Sequence, residues 1–125
     1  MKNDAMKSDG QGGFFDELRG EQLSAVTFVQ NYVQLWFDGP GINVTNPLQV
    51  TSGDQCLVSG QPGFRDLLCG QIAKKSRRVE YLRGEAFRIT FEDGSCVSIS
   101  LKSEDYSSPE AFFAHGFRNG SFCAE

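Results

Sequence analysis

Long apolar runs are absent: nothing approaches the ~20 residues that a membrane-crossing helix needs, so no membrane partner is expected. The opening segment MKNDAMKSDGQGG lacks the apolar core of a secretory signal, which points to a cytoplasmic protein with reduced thiols. Residues 1–13 hold too little apolar surface to offset the entropy of ordering, so they are expected to be a flexible tail, with a single domain over 14–125.

The side chains of common catalytic and metal centres are also scarce. The four cysteines, Cys56, Cys69, Cys96 and Cys123, form no Cys-x-x-Cys, and their gaps fit neither a zinc ribbon nor a finger. A metal site would have to gather Cys69, Cys96, Cys123 and His115, the only histidine, from distant parts of the chain; buried or half-buried thiols are the expectation. A dyad of His115 with Cys123 lacks an orienting third group. The paired acids Asp16-Glu17, Glu92-Asp93 and Glu104-Asp105 are neighbours on the chain, which on a strand point apart instead of converging. Neither Gly39-x-Gly41 nor Gly60-x-x-Gly63 extends into a phosphate-binding signature. No catalytic set, metal or cofactor is therefore expected.

Present instead are eleven phenylalanines, three tyrosines and one tryptophan in a chain of 125 residues, enough for an aromatic-rich core. The net charge of −4 hides an asymmetry: residues 71–88 hold six bases and two acids, and the remainder six bases and fourteen acids. An acidic body argues against nucleic acid as partner.

The apolar pattern has the period of strands. In YVQLWF, Val33, Leu35 and Phe37 share one face, with Tyr32, Gln34 and Trp36 on the other. Phe87, Ile89 and Phe91 alternate likewise, as do Val97, Ile99 and Leu101. A two-residue turn between these last two strands would set apolar against polar. A three-residue loop, Glu92-Asp93-Gly94, pairs Ile89 with Val97 and Phe87 with Ile99, and so puts Gly94 at positive φ. The same reasoning pairs Phe37 with Ile42 and Leu35 with Val44 around a four-residue loop, 38–41. Residues 72–82 read as a strand and 47–61 as a loop with at most a short strand. Two short helices are expected: about 62–69, opened by Pro62 and stopped by a left-handed Gly70, and about 108–115, capped by Ser107 or Ser108 and stopped by Gly116. Residues 117–125 read as loose unless Phe117 and Phe122 dock.

The halves also resemble each other. LRGEQL (18–23) aligns with LCGQIA (68–73), YVQLWFDG (32–39) with FRITFEDG (87–94), and GINVTNP (41–47) with CVSISLK (96–102). The expected fold is therefore mainly β (α+β). Two pseudo-repeated antiparallel three-stranded units, about 18–47 and 68–102, form one sheet, a sandwich or a small barrel, with the two helices over an open face.

LCGQI, FEDGSCVSISL and DYSSPEAF, in that order, resemble an uncharacterised family of small bacterial duplicated-β proteins over about residues 18–113. That resemblance implies an immunity-type role, a partner of a toxin, and carries over no catalytic residue.

Two features suit a partner. Tyr32, Gln34 and Trp36 form a rigid aromatic strand face, either covered by loop 47–61 or a helix, or exposed as a binding patch. The run KKSRR, with Lys74, Lys75, Arg77 and Arg78, reads as a basic edge that can steer an acidic protein partner. The expected function is a non-enzymatic protein-binding module. The alternatives are a small-ligand protein or enzyme with a pocket between sheet and helices, and a self-associating subunit, a homodimer for instance.

Overall fold

A computed structural model describes residues 13–125, so the tail expected over 1–13 lies outside them but for Gly13. A 3-10 turn, Phe14–Leu18, precedes strands β1 (Ala25–Val29), β2 (Tyr32–Trp36) and β3 (Gly41–Val44), followed by a hairpin, β4 (Leu48–Ser52) and β5 (Gln55–Val58). The pattern then recurs: helix α1 (Phe64–Cys69), strands β6 (Ser76–Leu82), β7 (Ala86–Phe91) and β8 (Cys96–Ser100), a second 3-10 turn (Ser103–Asp105), and a hairpin of β9 (Phe112–Phe117) and β10 (Gly120–Ala124).

The strands make two five-stranded antiparallel sheets, in the orders β1-β2-β3-β9-β10 and β5-β4-β8-β7-β6. Each sheet is a three-stranded meander from one half of the chain, completed by the hairpin from the other half. The registers match row by row. Val26, Leu35, Ile42, Ala114 and Phe122 stand side by side across the first sheet. Val79, Ile89, Val97, Val50 and Leu57 do so across the second. These apolar rows face each other and share one core, so the outcome is a sandwich and not a barrel. Phe112 of the first sheet lies 4.9 Å, centroid to centroid, from Phe87 of the second, and Phe15 of the opening turn packs on both.

Residues 13–20 (GFFDELRG) and 63–70 (GFRDLLCG) share Gly-Phe-x-Asp-x-Leu-x-Gly fifty residues apart. Gly13 and Gly63 both adopt left-handed backbone ahead of a helical turn, with φ of 88° and 87°. Leu18 and Leu68, at the same place in each, are fully buried.

The second hairpin has the register that its apolar pattern predicts: Ile89 pairs with Val97, Phe87 with Ile99, and Gly94 has φ of 92°. Other expectations are overturned. Residues 108–115 are not a helix; Phe112–Phe117 are β9, with Phe112, Ala114 and Phe117 buried and His115 on the opposite face. The cap signals of Ser107, Ser108 and Pro109 serve a turn, because the bare edge of β3 offers this segment a full ladder of backbone partners, and tertiary pairing overrides local propensity.

Residues 117–125 are not loose, since β10 closes on β9; nor are 47–61 a loop, since β4 and β5 pair from Gln49–Val58 to Ser52–Gln55. The first hairpin pairs Leu35 with Ile42 and Val33 with Val44, two residues from the expected register. Asp38 and Gly39 take the two positive φ values of a two-residue turn, which sets Phe37 against Pro40. Gly70 is right-handed, with φ of −66°.

Replacing Gly94 by valine should cost on the order of 1–2 kcal/mol, because the loop that fixes the β7–β8 register holds it at positive φ. Urea unfolding at an unchanged m-value measures that loss; wild-type stability would contradict it.

Candidate functional site

The fold leaves two outer faces, and equivalent rows allow them to be compared position by position. On the first sheet, Ala25, Trp36, Gly41 and His115 form one outer row, and Thr27, Gln34, Asn43, Phe113 and Cys123 the next. Their counterparts on the second sheet are Arg78, Thr90, Cys96 and Thr51, continuing to Cys56, and then Glu80, Arg88, Ser98, Gln49 and Val58. The five strands of the first sheet contain no Asp, Glu, Lys or Arg. Where the second sheet has ordinary strand residues, Thr90, Cys96, Thr51 and Ser98, the first has Trp36, Gly41, His115 and Asn43.

These four are arranged together. Trp36 Nε1 donates to Thr27 Oγ1 on β1 at 3.3 Å, while the far edge of the indole lies over Gly41 on β3. The ring therefore spans from β1 to β3 across its own strand. A Cβ at Gly41 would meet His115 Cε1 at 2.6 Å and Trp36 Cζ3 at 2.8 Å, so the bare glycine is what lets both rings lie this low. His115 stands edge-on to the indole with centroids 5.3 Å apart, and stacks on Phe113 at 5.7 Å. Asn43 Oδ1 accepts from Gln34 Nε2 at 3.2 Å and is 3.1 Å from His115 Nε2. An amide oxygen only accepts, so His115 Nε2 is the donor in this contact. This network holds the rotamers of the face before any partner arrives.

Tyr32, Gln34 and Trp36 thus lie on one face, all half-buried. Among the described residues neither loop 47–61 nor a helix covers this face: the contacts of the indole come from its own sheet, and α1 packs on β1, β4 and β5. Tyr32 pairs with Val29, itself 39% exposed, at the far end of the strand from Trp36.

The basic run lies elsewhere. It opens β6, an edge strand of the second sheet, where the register slips at Arg77. Lys74 is half-buried and bound inward, 2.8 Å from Asp93 Oδ2, 2.9 Å from Gln71 Oε1 and 3.2 Å from Ser95 Oγ. These contacts, with Ser95 donating from its hydroxyl and backbone N–H, hold the Asp93 carboxyl well below the usual carboxylate range. Arg78 pairs with Glu80 at 3.4 Å. Lys75 and Arg77 are exposed and have no ion-pair partner among the described residues.

Cys56, Cys69 and Cys123 are exposed and Cys96 half-buried, so the expectation of buried or half-buried thiols fails at three positions. Partial desolvation, a hydrogen bond to Glu110, and the charges of Glu110 and Glu125 push the Cys123 thiol up. No group of three or more His, Cys, Asp or Glu converges on a metal-binding geometry among the described residues, and none of their helices is long and apolar enough to cross a membrane.

Sequence reasoning missed Gly41, Asn43, Phe113 and His115. The signal was the period-two run FFAHGF, whose outward members are Phe113 and His115. The chain matches no protein-family model, no curated protein and no solved structure.

Gly41→Ala should swing both rings off the sheet and change Trp36 emission and near-ultraviolet dichroism, at a stability cost on the order of 1 kcal/mol. Unchanged spectra would contradict the close packing. Because Asp93 has a lowered folded-state pKa, its stabilising contribution is present above the ordinary ~3.9 and is lost as the pH falls through the lower folded value. Carboxyl NMR should give Asp93 a midpoint well below that ordinary value, rising toward it in Lys74→Met.

Proposed function

We propose that this chain is a non-enzymatic protein-binding module whose contact surface is the outer face of the first sheet: Tyr32, Gln34 and Trp36, joined by Asn43, Phe113 and His115. The observation that carries this reading is the contrast between equivalent faces of one molecule. Thr90, Cys96, Thr51 and Ser98 meet the needs of an outer sheet surface at the same places, so the fold does not demand an indole, a bare glycine, an imidazole and an amide there. Half-buried aromatics on rigid strands, fixed by hydrogen bonds and free of charge, have the composition of an interface centre.

The resemblance of LCGQI, FEDGSCVSISL and DYSSPEAF to the small bacterial family supports an immunity-type partner, in which a second protein is held stoichiometrically. The basic edge would be a separate contact, and any steering of an acidic surface from it rests on Lys75 and Arg77. Internal duplication is part of the proposal. The repeated Gly-Phe-x-Asp-x-Leu-x-Gly, the recurring element order and the matching registers support it. In that reading one face acquired a binding surface while its counterpart kept strand-forming residues.

The test is capture of the partner from source cells by wild type, Trp36→Ala and Thr90→Ala. Loss in Trp36→Ala only, with melting unchanged, is the expected result. Equal capture by all three variants, or an unfolded Trp36→Ala, would overturn the assignment; sedimentation at rising concentration separates it from self-association.

A further inference from the structure

We propose that the outer face of the first sheet receives a cationic side chain, above all a guanidinium, from a basic protein partner; this rests on the protein-binding reading of that face. The strands of the sheet carry no charged residue, and the segments that join and flank them, 19–24, 30–31, 37–40, 45–47, 109–111, 118–119 and 125, carry four acids, Glu21, Asp38, Glu110 and Glu125, and two bases, Arg19 and Arg118. Asp38 follows Trp36 at the end of β2, and Glu110 and Glu125 act on Cys123 in the outer row. The rim is thus acidic on balance, by two charges, around a neutral aromatic centre, with Asp38 at the Trp36 end and Glu110 and Glu125 at the Phe113 end. Outside residues 71–88, where the bases cluster, acids outnumber bases fourteen to six.

The centre suits a cation in its own right. The negative π-face of an indole attracts ammonium and guanidinium groups, and does so best for tryptophan. A guanidinium is planar and weakly hydrated, so it stacks with a smaller desolvation cost than an ammonium. The polar atoms left over from the side-chain network include an acceptor, the Gln34 oxygen. An acidic side chain would meet the rim carboxylates as like charges and would have no proton to give the amide oxygen. A neutral sugar ring could also stack on the indole but would leave the acidic rim without a role, so it forms an arm of the test.

Trp36 is the sole tryptophan, so its emission reports this face alone. The full chain is titrated at low salt with arginine, lysine and glutamate hexapeptides and a glucose oligomer, each up to roughly 10 mM. The arginine peptide should give a saturable change that weakens with salt, with about threefold or greater preference over lysine and no saturable change from the other two. Asp38→Asn with Glu110→Gln should weaken arginine binding about three- to tenfold. Glu92→Gln with Glu104→Gln, an equal change in net charge away from this face, should leave it unaltered. No saturable response to arginine, equal weakening by the two double variants, or a stronger response to glutamate overturns the cationic inference. If a protein partner is still lost in Trp36→Ala, only that inference has failed. Response to the glucose oligomer alone overturns both it and the protein-binding reading.

Discussion

The exchange of hairpins between the two sheets is the constraint on which the rest of this structure depends. Strands β3 and β8 each end a meander, and each would present an unpaired edge. The β9–β10 hairpin closes on β3 and the β4–β5 hairpin on β8, so both meanders are completed by chain from the other half. The exchange also builds the core. Phe112 arrives with β9 and packs against Phe87, while Phe15 bridges the two sheets. Leu48 and Val50 arrive with β4 and are fully buried. Neither half encloses a core alone, because each lends two strands to its neighbour.

The same exchange assembles the chemistry of the outer face. Trp36 and Gly41 come from the first meander; His115 and Phe113 come from a hairpin more than seventy residues later. Their meeting requires β9 to lie on β3 in one register, since a shift of one residue would turn His115 inward and Ala114 outward. The face therefore exists only where β9 is paired on β3 in this register.

What could be read from the chain follows the range of each interaction. Alternation over four to six residues suffices for β2, β7 and β8, and pairing apolar with apolar across Glu92-Asp93-Gly94 suffices for one register. The Tyr32, Gln34 and Trp36 face is legible because it needs period two alone. Less was legible where local signals pointed one way and a distant edge another. Ser107, Ser108 and Pro109 favour a helix start, but Phe112–Phe117 go to β3. Asp38-Gly39 closes a tighter turn than the apolar pairing suggested. Lys74 reads as a surface charge in KKSRR, yet it is bound to Asp93, nineteen residues on, which no local pattern reveals. His115 falls at the end of the helix expected over 108–115, and the pairing of β9 on β3 puts it on the outer face instead.

The most direct test of the account is the proton NMR contact between Trp36 Hζ3 and His115 Hε1 in the wild-type chain, measured with the backbone shifts of residues 108–117. The hairpin exchange predicts a strong cross-peak between the two rings and strand-like shifts over 112–117. Helical shifts over 108–115 with no cross-peak would contradict it, and would remove the face together with every role assigned to it.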